Sequence, residues 1–127
     1  MSEESKNLEI ARIKEEYVRR EREIASDFYS LKYPANLYIY IQRTRAVISL
    51  LNKEGLFPLN DKLILDIGCG SGDWLIDFQR WGAEQDKLYG IDLLPQKIKI
   101  AKKRLPFADL RIQDASSLPY QDNTFDI

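Results

Sequence analysis

Residues Lys62 to Trp74 read KLILDIGCGSGDW. The run KLILDI is short, apolar and ended by glycines, the pattern of a strand buried on both faces. After the glycines, Trp74, Leu75, Phe78 and Trp81 recur at helical spacing, and Gly82 closes that helix as its C-terminal cap. A strand that runs through three glycines straight into a helix commits the chain to helices packed on a parallel sheet.

The residues that follow repeat the alternation. KLYGID reads as a second strand, and Pro95 suits the first turn of a helix over PQKIKIAKKRL, where a missing N–H costs nothing. ADLRIQD is a third strand, SLPYQDN a loop with Asp122 and Asn123 as turn residues, and TFDI the beginning of a fourth strand. Strand and helix in alternation imply a parallel sheet with right-handed crossovers. Upstream, Ile10, Ile13, Tyr17 and Ile24 mark one apolar stripe in a densely charged helix over Glu3 to Glu23. Pro34 interrupts, and Leu37, Ile41, Thr44, Ile48 and Leu51 then carry a second helix that stops near NKEGLFPLND. The expected division is a helical extension over 1–61 and an α/β part over 62–127. A length of 127 residues suits a single domain. Because the chain stops inside an element, it reads as part of a longer domain. Three strands and a stub would leave the central strand as an unpaired apolar edge, to be covered by a dimer mate or another chain.

Composition narrows the chemistry. Histidine is absent, which removes triads with an imidazole base and histidine-ligated zinc, and no metal site is expected. Cys69 has no partner for an intrachain bridge and no apolar run is long enough for secretion or a membrane span, so a cytoplasmic home is expected. A net charge of −1 demands neither nucleic acid nor a membrane as partner. The basic run Lys97, Lys99, Lys102, Lys103 and Arg104 reads as a solvated helix face, with Ile98, Ala101 and Leu105 as its buried stripe.

The glycine turn is a nucleotide-binding arrangement, in which glycines permit a tight turn and let a ligand approach bare backbone. It departs from the dinucleotide fingerprint G-x-G-x-x-G, because the third glycine would fall at position 73, which is Asp73. Asp66 and Asp73 bracket the turn, where a pyrophosphate would meet repulsion. A ligand with a positive end suits them better, and S-adenosylmethionine carries a sulfonium and an ammonium and no phosphate. Asp92 ends the second strand, where a carboxylate can accept from two ribose hydroxyls, although it could equally cap the helix that begins at Pro95. Asp114 closes the third strand and can accept from an adenine amine, with Leu93 and Ala115 beside the purine. Cys69 lies within the same turn and is counted with the cofactor-binding residues as a small, snug side chain without chemistry of its own.

With these residues in view, the chain resembles the class I S-adenosylmethionine-dependent methyltransferases, and more narrowly their type 11 small-molecule branch. LDIGCGSG is similar to the first motif of that family, GIDLLPQKIKIAKKR to the second, and QDASSLPYQDNTFDI to the third with the start of a fourth strand. The resemblance runs from about Lys62 to the end. It implies a Rossmann-like, doubly wound parallel sheet, truncated at the fourth strand and preceded by N-terminal helices. It also implies that residues matching Asp66, Gly68, Gly70 and Gly72 surround the methionine part of the cofactor, Asp92 the ribose and Asp114 the adenine. The implied reaction is methyl transfer to a small-molecule acceptor with S-adenosylhomocysteine as product. The family's later strands, which usually bind the acceptor, would lie beyond Ile127, and no catalytic residue is named.

Two other readings stand beside this one: a non-catalytic nucleoside-binding or assembly module acting through the N-terminal helices, and a nicotinamide-binding oxidoreductase domain. The aromatic group Phe28, Tyr29, Tyr33, Tyr38 and Tyr40 would serve either as a lid over the site or as packing between helices and sheet.

Overall fold

A computed structural model describes residues 2–127. The chain forms two compact units, the first ending at Leu56 and the second spanning Phe57–Ile127. The second unit takes in the segment 57–61 together with the α/β part.

The first unit holds α1 (Glu3–Glu23) and α2 (Pro34–Lys53). Helix α1 starts where the Ser2 hydroxyl accepts from the Ser5 N–H, with Glu3 and Glu4 in its first turn and Arg20 and Arg22 in its last, both signs set to favour the helix dipole. Its surface carries pairs at helical spacing: Arg12 with Glu9, and Arg19 with both Glu16 and Glu23. Such exposed pairs contribute a few tenths of a kcal/mol each, about 0.2–0.5. Helix α2 begins at Pro34, as the missing N–H allows, and ends in a Schellman turn: Leu56 N–H donates to Leu51 C=O and Gly55 N–H to Asn52 C=O. Leu51 is the one buried side chain of these two helices among the described residues. Phe28, Tyr29, Tyr33 and Tyr38 are exposed and Tyr40 half-buried, so most of the aromatic group is not core.

The second unit is the α/β part. Strands β1 (Ile64–Ile67), β2 (Leu88–Asp92) and β3 (Asp109–Ile112) form a parallel sheet in the order β1-β2-β3, with α3 (Asp73–Arg80) and α4 (Pro95–Arg104) as crossovers. This is the α/β, Rossmann-like arrangement expected from the sequence, with two helices ahead of it. Register aligns Ile64 with Leu88 and Asp66 with Gly90, and on the other side Gly90 with Leu110. Helix α3 closes in a second Schellman turn, where Ala83 N–H donates to Phe78 C=O and Gly82 N–H to Gln79 C=O. Leu75, Leu88, Ile91, Ala101 and Leu105 are at most 1% exposed and form the centre of the core.

One expectation is corrected in detail: the third strand ends at Ile112, two residues short of Asp114, although Gln113 N–H still donates to Asp92 C=O. Strand β2 pairs on both sides, and β1 lies at the border of the sheet. There, Leu65 N–H donates to Ile127 C=O at 3.0 Å and Asp126 N–H to Leu63 C=O at 2.9 Å. The Asp126 carboxylate accepts from Leu63 N–H as well. The TFDI segment therefore lies along the border of β1 even where no regular strand is formed.

Gly90 shows how tightly the sheet meets α3. A Cβ there would lie 2.8 Å from Cys69 Sγ, 2.8 Å from Leu110 Cδ2 and 3.0 Å from Leu75 Cδ1. Overpacking of this kind costs about 1–3 kcal/mol. Gly90→Ala should therefore lower the urea midpoint with the m-value unchanged, and an unaltered midpoint would show that the three neighbours have room to yield.

Candidate functional site

The site is built where β1 and β2 end. Gly68 and Cys69 both donate their N–H groups to Ile91 C=O, at 2.8 and 2.9 Å, so the turn folds over the end of β2. Gly70 N–H then donates to Asp92 Oδ2 at 2.8 Å, and Asp92 Oδ1 accepts from Leu94 N–H at 2.8 Å. One carboxylate thus joins the glycine turn to the start of the second crossover. This is not the helix cap the sequence allowed: Leu94 is the N-cap of α4 and no side chain caps it.

Two of the glycines are required by backbone angle and not by crowding. Gly68 and Gly70 have φ of 77° and 53°, the left-handed region that side chains disfavour, yet an added Cβ at either would meet nothing within 4 Å. Open space over bare backbone is what a ligand needs for close approach. Gly72 differs, because its Cβ would lie 3.1 Å from Leu105 Cδ1.

The charges are uneven around this turn. Among the described residues Asp66 Oδ2 is buried and makes no hydrogen bond. Burial, and then the nearby Asp92 charge, push the Asp66 carboxyl above its ordinary range. Burial followed by the charges of Asp66 and Asp92 pushes the Cys69 thiol up to about 12, so it stays protonated and inert at neutral pH. Asp73 is different again. It is the first residue of α3, its side chain is 77% exposed, and Arg104 Nη1 lies 2.7 Å from its Oδ1. The negative charge at the turn therefore comes from Asp66 and Asp92, and Asp73 adds little because it is solvated and paired.

Of the residues singled out from sequence, Asp66, Gly68, Cys69, Gly70, Gly72 and Asp92 share this one turn. Leu93 follows Asp92 and is half-buried. Asp114 sits beyond Gln113 at the same end of the sheet, with its carboxylate directed onto its own loop, accepting from Ser116 N–H at 2.9 Å and Ser116 Oγ–H at 2.6 Å. Ala115 is exposed between them.

A methyltransferase-domain family model matches residues 64–127, just over half of the chain and all three strands of the sheet. The chain belongs to the methyltransferase-domain family. Demethylmenaquinone methyltransferases of Bacillus mycoides and Bacillus cereus are 32% and 31% identical to it over 121 residues, covering 89% of this chain and 48% of each relative. The chain thus spans about half the length of the curated relatives it matches. A TehB-like SAM-dependent methyltransferase from Corynebacterium glutamicum aligns with a TM-score of 0.47 at 27% identity, covering 74% of this chain and 53% of that one.

Two residues of this methyltransferase domain went unremarked as site or core groups in the sequence. Arg104 reads there as one of a row of solvated cations, but it donates to Ser71 C=O and Asp73 across more than thirty residues of chain. Asp77, on α3, is 3% exposed, with Arg80 Nη1 3.1 Å from its Oδ1. No spacing rule could have marked Arg104, because its partners belong to another crossover.

The raised Asp66 pKa has a signed consequence. A carboxyl held above its unfolded value contributes stability below that value and loses it as pH rises through the folded one. Urea unfolding of the unliganded chain across pH should show that loss from about pH 4 upward. Asp66→Asn should flatten the profile and be more stable than the parent at pH 7. Parallel profiles for the two proteins would show that Asp66 is not the group responsible.

Proposed function

We propose that this chain is the cofactor-binding part of a methyltransferase that moves a methyl group from S-adenosylmethionine to a small-molecule acceptor. The observation that carries the reading is Asp66: a buried carboxylate oxygen without a hydrogen bond, close to a second carboxylate, where an open glycine turn begins. Holding charge in such a place is costly unless an opposite charge completes the site. The ammonium and sulfonium of S-adenosylmethionine supply that charge, whereas a dinucleotide would bring two more negative groups. Membership of the methyltransferase-domain family supports the same cofactor.

The residues divide the work along one ligand. Asp66 accepts from the ammonium, while Gly68 and Gly70 leave their backbone bare for the methionine chain and Gly72 seats the turn on α4. Each Asp92 oxygen takes one backbone N–H and keeps a second lone pair for a ribose hydroxyl. Asp114, stiffened by Ser116, accepts from the adenine amine, with Leu93 and Ala115 on either side of the ring. Bound S-adenosylmethionine carries an activated methyl group, so the chain's own task is to hold it in place and keep its charged end out of water. The names of the Bacillus relatives support a small, quinone-like acceptor over a macromolecule.

Thermal unfolding with added ligand tests this reading. S-adenosylhomocysteine at a hundred times its dissociation constant should stabilise the chain by ~2.7 kcal/mol, and NAD should not. Asp92→Ala should weaken the interaction by about 150-fold or more, since two hydrogen bonds to a charged group are lost at about 1.5–3 kcal/mol each. Stabilisation by NAD and not by S-adenosylhomocysteine would overturn the proposal.

A further inference from the structure

The far side of the glycine turn is held by one face at the end of α4. Ala101, Arg104 and Leu105 stand at i, i+3 and i+4, the spacing that places side chains together on a helix. Ala101 and Leu105 are both 0% exposed, and they are the atoms a Cβ at Gly72 would meet. Between them, Arg104 Nη1 donates to Ser71 C=O and to Asp73 Oδ1, each at 2.7 Å. Residues 71, 72 and 73 are therefore each fixed by a neighbouring residue of the same helix face: two apolar seats under the glycine and one guanidinium spanning the residues on either side of it. The ligand side of the turn, at Gly68 and Gly70, has no such neighbours within 4 Å of an added Cβ.

From this geometry we infer that Arg104 is a positioning residue for the cofactor turn, holding its outer half rigid so that Gly68 and Gly70 present their backbone to the ligand already in shape. It acts on charge as well. By pairing with Asp73 it removes one of the two carboxylates that bracket the turn, and the cationic end of a ligand is then directed to Asp66. This deepens the reading given under Proposed function and rests on it for the identity of the ligand. Arg104 acts through the turn, by way of Ser71 C=O and Asp73, and is not assigned a contact with the ligand. Arginine suits the task because one nitrogen of its planar group serves two acceptors in fixed directions, whereas the lysine ammonium on its flexible stem holds them less firmly.

The test uses the full chain and two readouts. Hydrogen exchange on the unliganded protein is followed at Gly72 and Ile76, whose N–H groups are bonded to Cys69 C=O and Gly72 C=O, with Tyr89 and Ile91 of β2 as the internal reference. Affinity for S-adenosylhomocysteine is measured by calorimetry. Arg104→Gln should speed exchange at Gly72 and Ile76 with β2 unchanged and weaken affinity five- to tenfold, and Arg104→Lys should recover part of both. Arg111→Gln, which breaks a pair with Asp109 elsewhere on the sheet, should alter neither. Unchanged exchange in Arg104→Gln, or faster exchange in the turn and in β2 alike, would overturn the assignment. Failure of the parent chain itself to bind S-adenosylhomocysteine would count against the proposed reaction, and the exchange data would still decide the role of Arg104.

Discussion

The site depends on one hydrogen bond, from Gly70 N–H to the Asp92 carboxylate. The turn after β1 has two anchors on β2, this one and the paired donation of Gly68 and Cys69 to Ile91 C=O. Backbone alone would place the turn over the sheet. The charged acceptor at Asp92 directs it, because a charge-assisted bond is about twice as strong as a neutral one and fixes the amide of the glycine that faces open space. The same carboxylate holds the Leu94 amide and so sets the entry to α4. Loss of Asp92 would loosen the start of both crossovers at once.

Placing that carboxylate there has an electrostatic cost, which Asp66 and Cys69 register. Burial first, and then the Asp92 charge at the end of the adjacent strand, raise the proton affinity of the Asp66 carboxyl. The thiol between them is driven far from ionisation, so a cysteine that might look reactive beside the start of a helix is silent. Arg104 offsets the outermost acid, Asp73, and leaves the inner pair. Negative charge therefore stays at the turn, and that is the physical basis of the proposed preference for a cationic ligand over a phosphorylated one.

The N-terminal helices obey different rules. Helix α1 is held by its caps, its dipole and its ion pairs more than by burial, and among the described residues it has no buried side chain. Helix α2 keeps a half-buried stripe through Tyr40, Thr44, Val47 and Ile48 to Leu51, while Tyr38, Ile39 and Leu50 on the opposite side are exposed.

What the residues determine by themselves is local. The helix limits at Glu3–Glu23 and from Pro34, the end of α3 at a glycine, the start of α4 at Pro95 and the parallel α/β class all follow from periodicity, caps and turn chemistry that act within a few positions. So does the grouping of Asp66, the glycines and Asp92 at one end of the sheet, since alternation of strand and helix forces consecutive strand ends together. Tertiary structure decided the rest. Whether Asp73 faces the ligand or the solvent depends on Arg104, which arrives from another crossover. Whether Asp92 caps a helix or grips the turn depends on where Gly70 lies, and which side of β1 the TFDI segment joins is a matter of unpaired backbone donors. Those are meetings between residues twenty to sixty positions apart, and no local pattern encodes them, because they arise only when the sheet brings the segments into reach.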